Sequence, residues 1–572
     1  MSAINLNKDF HRLAIEEREG YLQFIHKFGN SRTRKLFNIP GEEFSLWWMS
    51  LIAEKSTVKS DVYEKLIALL VSGKPEPRSL RSRIKSSLLY KFYLFVRGIV
   101  DLLVHILRAF YIKVSVNDFQ KRLRKLKACD YVIVTPFPLF DKQKSEAGTY
   151  ENKFVPALHR SLEKVYRGRY AHICLHVDSE GLKLGDSVYW LNKFNRKQIL
   201  FLLDEFFNLI YTPILFFYYL YFSVVFVFNV AKIRRQAFYE YKGRTYDLWP
   251  ILANDFYYSF CGPNLVSSLW YIFAFKKACS SLEKGSKVIS VCEMSWWEKA
   301  LYIFARKQGL ITVGYQHTRL PKLLLNYFNT GQDVIENGVF DPCPLPDYLA
   351  TVGRTAASIF KDDGWPDTRI FVWGAQRFEP FRKKESFFVP WDKKESCFIC
   401  AFSINEFETE RVISFLAEAF REPLNYKILL KSHPNIDLKK LIARCSTSLY
   451  PANFEIVDED ITSLAKKSKG MIVTDSSSCF YALASSSPVI ILRFKDRVDA
   501  NPLSYISDLA LYVYSPQELK DTCDKIITGS LAPVPHQSVV RFLDDYLYFP
   551  DKDEDYLEKI KNIQAGARLW KR

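Results

Sequence analysis

Five short stretches carry residue types that could handle an activated phosphate and a nucleophile. In "YKILLKSHPN" an apolar run stops at Lys431-Ser432, and His433 and Pro434 follow at once. Proline ends a strand whatever else it does, but an imidazole at a strand's carboxyl end can also bind a phosphate or assist its departure. Further along, "GMIVTDSSS" places Ser476, Ser477 and Ser478 where a strand runs into a helix. Hydroxyls and unpaired N–H groups at a helix start favour phosphate; Asp475 or one of the serines could equally cap the helix. Lys431 is either an added counter-charge or a solvated lysine. Earlier in the chain, Glu293 follows the apolar run "KVISVC", and "LITVGYQHT" ends in Gln316, His317 and Thr318. Taking a proton from a hydroxyl needs a carboxylate or imidazole within hydrogen-bond reach, which favours Glu293 as base. His317, a catalytic candidate with Gln316 and Thr318 beside it, could contact acceptor or donor sugar or be a hydrogen-bonded interdomain histidine. Glu298 could contact substrate or pair with Lys299. Arg377, in "GAQRF", could meet a carboxylate or phosphate or brace a hinge.

These residues need a scaffold that gathers strand ends. From "CDYVIVTPFPLFD" and "YAHICLHVD" onward, β-branched runs alternate with amphipathic helical patterns. The alternation repeats through "SKVISVCEMSWWEKALYIFARKQGLITVGYQHT" and again from "CFICAFS" to "PVIIL". Alternating β and α units imply parallel, doubly wound sheets. Ligands then bind beyond the strands' carboxyl ends. The charged, proline-bearing "EPFRKKESFFVPWDKKES" reads as a linker between two such units.

At 572 residues the chain exceeds one ordinary core. With 48% hydrophobic and 25% charged residues it is globular, not disordered. The net charge of +17 favours an anionic partner; no motif points to nucleic acid. The eleven cysteines are scattered through apolar runs. Cys397 and Cys400 lie in a strand-like segment and read as buried thiols. The polar N-terminus, "MSAINLNKDFHRL", predicts a cytoplasmic chain. "SSLLYKFYLFVRGIVDLLVHILRAFYIKV" is a long amphipathic pattern, and residues 206–231 carry no charge. That run is long enough to span a bilayer. Pro213 and Asn229 interrupt it, and it sits inside an α/β unit, so packing in the protein or lying in the membrane interface is preferred over a span.

His433-Pro434 after one strand and the serines after a later one resemble the paired motifs of GT-B glycosyltransferases that use cytidine-activated donors, namely bacterial sialyltransferases and Kdo transferases. "ITSLAKKSKGMIVTDSSSCFYALA" also resembles the CDP-glycerol glycerophosphotransferases. "CEMSWWEKAL", "VGYQHT" and "VWGAQRF" resemble bacterial surface-carbohydrate biosynthesis proteins. The resemblance implies a GT-B-like α/β fold, two Rossmann-like domains facing a cleft, with an N-terminal helical region. It implies a CMP-activated sugar as donor, Kdo or a sialic-acid-like nonulosonate, with neither metal nor cofactor. The acceptor would be a surface polysaccharide or lipid-linked glycan at the acidic inner membrane. His433, Ser477 and Ser478 would hold the donor phosphate. Related families use an acidic-acidic-glycine carboxylate as base; Asp362-Asp363-Gly364 matches its letters but follows a helix, so Glu293 is preferred. The rival readings are a CDP-glycerol-type phosphotransferase and a non-catalytic assembly or export protein. The expected layout is a basic helical region over 1–125, an acceptor domain over 126–380 with an apolar insertion near 200–235, a linker over 381–393, a nucleotide-sugar domain over 394–535 and a helical tail over 536–572.

Overall fold

The computed structural model describes residues 3–30, 32–74, 84–85, 87–140, 148–178, 182–334, 343–434, 436–444, 453–531 and 534–563. The basic run "PEPRSLRSR" and the last residues of the expected tail lie outside them.

Two parallel sheets organise the chain. The first has seven strands: β1 (Tyr131–Phe137), β2 (Tyr170–His176), β3 (Leu200–Leu202), then, after a β4–β5 hairpin (Phe238–Tyr241, Arg244–Asp247), β6 (Lys287–Val291), β7 (Ile311–Gln316), β8 (Tyr348–Thr351) and β9 (Ile370–Val372). Their order is β3-β2-β1-β6-β7-β8-β9. The second comprises β10 (Glu395–Ala401), β11 (Lys427–Lys431), β12 (Phe454–Val457), β13 (Ser468–Val473), β14 (Val489–Leu492) and β15 (Ala510–Val513), ordered β12-β11-β10-β13-β14-β15. All neighbours within both sheets are parallel. The direction of winding reverses between β1 and β6 in one sheet and between β10 and β13 in the other. Such switch points open a crevice at the strands' carboxyl ends. The central strands are nearly continuous apolar runs because helices cover both faces, as the full burial of Val132, Ile133, Val134, Ile472 and Ile490 shows. The fold is thus the expected GT-B-like pair of Rossmann-like units.

Helices tie the two sheets together at both ends of the chain. In the N-terminal region α1 (Ala3–Glu16) and α2 (Val62–Ser72) precede the long α3 (Leu88–Ser115) and the basic α4 (Phe119–Lys127). α1 lies on the second sheet's side, where Asn7 Nδ2 donates to Arg493 O at 2.8 Å and Tyr505 OH donates to His11 O at 3.2 Å. Beyond it, Arg18 pairs with Asp363 of the first unit at 2.8 Å. α5 (Pro156–Val165) follows β1. The β3–β6 excursion then carries α6 (Thr212–Arg234), α7 (Trp249–Cys261) and α8 (Pro263–Ser280). α9 (Trp296–Gln308) links β6 to β7, α10 (Arg354–Asp362) follows β8, and α11 (Cys479–Ala484) follows β13. Finally α12 (His536–Tyr546) and α13 (Glu554–Lys561) return to the first sheet's side. There Ala375 N donates to Tyr548 O at 2.8 Å and Arg160 pairs with Asp553 at 2.8 Å. Gly353 is required by close approach: a Cβ at this position would run into the Tyr546 carbonyl at the end of α12.

The segment read as a linker is not a bare connector. Residues Gln376–Phe387 form successive 3₁₀ turns. Phe381 is buried against Phe387 and Tyr481, with ring centroids 5.0 and 4.6 Å apart. Cys397 and Cys400 are buried within β10, and burial pushes the Cys397 thiol up to about 11.

Candidate active site

On the first sheet the site is built at the mouths of β6 and β7. β6 ends at Val291, and the chain then turns at Met294, whose φ of 53° is left-handed. A non-glycine residue there is uncommon and costs energy. The turn leaves Met294 buried and the Glu293 side chain 56% exposed. Glu298 secures this geometry. It is fully buried at the start of α9, and its Oε2 accepts from Ser295 N at 2.6 Å and Glu293 N at 3.2 Å. Burial pushes its carboxyl up to about 8. Glu298 therefore makes neither a substrate contact nor the surface pair expected with Lys299, whose ammonium turns inward to Cys343 Sγ at 3.3 Å. Asn326 Nδ2 donates to Glu293 O at 2.5 Å and pins the same turn from the loop beyond β7.

His317 stands beside Glu293. Its Nε2 is 3.6 Å from Glu293 Oε1, just beyond hydrogen-bond length. Only 1% of the residue is exposed, and among the described residues neither ring nitrogen has a partner at hydrogen-bond geometry. Phe154 meets the ring edge-on at 4.5 Å. Burial, then the nearby Arg377 guanidinium, hold the imidazole well below its usual range, so it is neutral. A buried polar group without a partner costs about 1–3 kcal/mol. Gln316 is fully buried; its amide donates to Thr318 O and accepts from Val352 N at 3.3 Å. Gln316 thus shapes the β7 exit. Thr318 is half-buried beyond it.

On the second sheet His433 lies two residues beyond β11, half-buried, in a turn closed by Ile436 N donating to His433 O at 2.9 Å. Ser432 Oγ donates to Ile436 O at 2.6 Å and tightens the same turn. The serine cluster leaves β13, two strands away with β10 between, roughly 10 Å across the sheet. Ser476 Oγ donates to Ser478 Oγ at 3.0 Å and accepts from Ser478 N at 3.2 Å, so Ser476 organises the turn into α11. Ser477 O accepts from Phe480 N at 3.2 Å. Lys431 points elsewhere: its ammonium donates to Asp458 O at the β12 edge, at 3.0 Å.

Arg377 joins the two halves. It keeps solvent access, yet it biases the protonation of groups from both sheets. Its charge lowers Glu293 and His317 on one side and His433 and Tyr481 on the other. Its guanidinium lies 5.4 Å from the Phe154 ring. The packed cleft walls around the Glu293 carboxyl raise it above its ordinary value, against the pull of Lys59, Arg377 and Arg319, although the side chain itself stays open to the cleft. The His433 imidazole is lowered by burial and by Arg377.

Three contributors carry no motif in the sequence. Lys59, from the N-terminal helical region, acts on Glu293 while pairing with Glu54 at 2.6 Å. Arg319, two residues past His317, reaches Asp475 at 3.5 Å and bridges the mouths of β7 and β13. Asp475 also faces Arg497 at 3.9 Å. Burial opposes its ionisation, but the two arginines outweigh it and hold the carboxyl below its usual range. Asp475 is thus an interdomain partner and not the expected helix cap. Asp363, the alternative base, is spent on Arg18, and Asp545 faces Arg354 at 3.4 Å.

No family model matches the chain, and no curated protein matches it. Solved structures of similar outline include the UDP-GlcNAc 2-epimerase of Methanocaldococcus jannaschii in complex with UDP-GlcNAc and UDP. It is 12% identical, covers 75% of this chain and 98% of its own, and has a TM-score of 0.40. The calicheamicin glycosyltransferase CalG4 is 9% identical over 75% and 97%, at 0.38. The wall teichoic acid polymerase TagF, soaked with CDPG, is 13% identical over 83% and 99%, at 0.32. These scores describe outline only, and the functional reading rests on the site.

Proposed function

We propose that the chain is a glycosyltransferase that moves a sugar from a CMP-activated donor to a bacterial surface polysaccharide or lipid-linked glycan. The donor sugar is Kdo or a sialic-acid-like nonulosonate, and the reaction takes place at the cytoplasmic face of the inner membrane. One arrangement supports the reading: a carboxylate and a buried imidazole at the strand mouths of one sheet, a histidine and a serine turn at the strand mouths of the other, with the Arg377 charge acting on Glu293, His317 and His433.

In this reading Glu293 takes the proton from an acceptor hydroxyl, and His317, packed behind it, positions the carboxylate. The hydroxyl oxygen bonds to the anomeric carbon as the bond from that carbon to the CMP phosphate oxygen breaks. The electron pair leaves with CMP, whose phosphate is held by the His433 N–H, the Ser477 and Ser478 hydroxyls and the Arg377 guanidinium. Arg319 and Lys59 add positive field at the same mouth, so the leaving charge is neutralised by protein groups without a metal. The cleft walls serve both roles, because they raise the affinity of Glu293 for a proton and keep His433 a neutral donor before the phosphate arrives.

Donor hydrolysis with CMP-Kdo, CMP-sialic acid and CDP-glycerol tests the assignment. Turnover of either CMP-sugar, lost in Glu293→Gln, is the expected result. Turnover of CDP-glycerol alone would replace it with a glycerophosphotransferase. Unchanged glycan output in cells carrying His433→Ala and Ser477→Ala would indicate a non-catalytic assembly protein.

A further inference from the structure

The surface of α3 and α6 exposes far more apolar area than a water-facing helix pair needs. Along α3, Leu89, Phe92, Leu103, Leu107 and Val114 project outward at helical spacing, with Leu107 67% exposed. On α6 the corresponding stripe is Ile214, Phe217, Tyr221, Val224 and Phe228, with Phe228 82% exposed. The opposite faces are spent on packing: Leu102, Ala109 and Ile112 of α3 and Leu215, Tyr219, Phe222 and Phe226 of α6 are buried. Tyr219 OH donates to Phe95 O at 2.6 Å, and Gly98 gives the Tyr219 ring its space. Arg108 of α3 pairs with Asp204, just ahead of α6, at 2.7 Å. With Phe95 near Tyr219 and Arg108 near Asp204, the two helices run antiparallel. Their exposed stripes extend along the length of α3, about 40 Å at 1.5 Å per residue.

We infer that this two-helix face is a monotopic docking surface that seats the protein in the interfacial layer of an anionic lipid bilayer. Three observations select this occupant. The apolar stripe is capped at both ends by exposed basic residues, Lys232, Arg234 and Arg235 at one end and Lys113, Lys121 and Arg124 at the other. Helices lying in a membrane interface present that pattern, with long cationic side chains reaching the headgroups. A second copy fits poorly, because with both ends basic either relative orientation sets like charges against each other. A bilayer span is the wrong geometry. α6 is long and apolar enough to cross a membrane, but one face is locked against the protein, and the chain before and after it rejoins one sheet through β3 and β6. This deepens the membrane location in the proposed function and is independent of the donor chemistry.

Flotation of the full chain with vesicles of phosphatidylethanolamine and phosphatidylglycerol, against pure phosphatidylcholine, is the test. The wild type should float with the anionic vesicles and bind phosphatidylcholine much more weakly. Phe217→Ser combined with Phe228→Ser should lower the partition by at least about tenfold, as expected for withdrawing buried aromatic area. Replacing Lys232, Arg234 and Arg235 by glutamine should weaken binding to anionic vesicles alone. Thermal protection by CMP in both variants, measured without vesicles, should match wild type, which separates lost docking from misfolding and from failure of the donor reading. A stable dimer with no vesicle binding, or proteolysis showing the two ends of α6 on opposite sides of the vesicle, would overturn the inference.

Discussion

His317 Nε2 stands 3.6 Å from Glu293 Oε1, with the imidazole buried and without a hydrogen-bond partner among the described residues, and the carboxylate open to the cleft. The two side chains come from the ends of adjacent strands, β6 and β7, and neither is close enough to satisfy the other. Glu293→Gln and His317→Ala are each expected to reduce kcat by about 10²–10⁴-fold, the range for a positioned proton acceptor, while CMP still protects the protein thermally. Loss of nucleotide binding in either variant would move these residues from acceptor to donor side.

The acid limb of the rate should report Glu293. The surrounding cleft walls raise its carboxyl above the ordinary value although the side chain is open to solvent, so activity should fall as pH drops through that raised value. Dependence of kcat/KM on pH, measured on wild type and Glu293→Asp, checks this. A limb that stays put in the aspartate variant would assign it to another group.

CMP binding should take up a proton. In the unliganded protein burial and Arg377 lower the His433 pKa, and a bound phosphate raises it again. Affinity should therefore strengthen as pH falls from 8 toward 6, about the range in which histidine titrates. The dependence should flatten in His433→Gln. Isothermal titration in buffers of different ionisation heat measures the proton directly, and no uptake in the wild type would remove His433 from the phosphate.

Arg319 and Asp475 latch the two units. Their side chains are 22% and 14% exposed, and Asp475→Ala leaves Arg319 without its carboxylate while Arg497 keeps Glu408 at 3.1 Å. Breaking a largely buried pair from one side costs on the order of 3 kcal/mol. Denaturant unfolding should register that loss, and a change below about 0.5 kcal/mol would mark the pair as incidental.

Chelation should leave turnover intact. Arg377, Arg319 and His433 supply the charge that the leaving phosphate needs, so dialysis against EDTA is expected to preserve the rate. A loss restored by magnesium would place a cation where Arg377 is assigned.

The alternation of apolar runs and helices made both parallel sheets legible, and with them the mouths that carry Glu293, His317, His433 and the serines. Strand ends are set by local composition, so a residue that follows "KVISVC" or "YKILLKS" is placed by the chain itself. What composition could not convey was pairing between distant segments. β3 is only three residues long and β15 only four, too short to stand out, and a long excursion separates β3 from β6. Arg319 meets Asp475, and Lys59 acts on Glu293, only because both ends of the chain wrap across the two sheets. Glu298 looked like a surface glutamate because the capping box that buries it depends on the left-handed turn at Met294. The segment over 381–393 looked like a linker because its charges outnumber the two phenylalanines, Phe381 and Phe387, that anchor it.

Thermal unfolding with CMP, UMP and GMP in parallel tests the central claim most directly. Binding to the native state alone raises the midpoint as ligand exceeds its dissociation constant. CMP should protect more than UMP or GMP, and His433→Ala or Arg377→Gln should abolish protection by CMP, because both residues hold the phosphate. Equal protection by all three nucleotides, or by none, would contradict a cytidine-activated donor at this cleft.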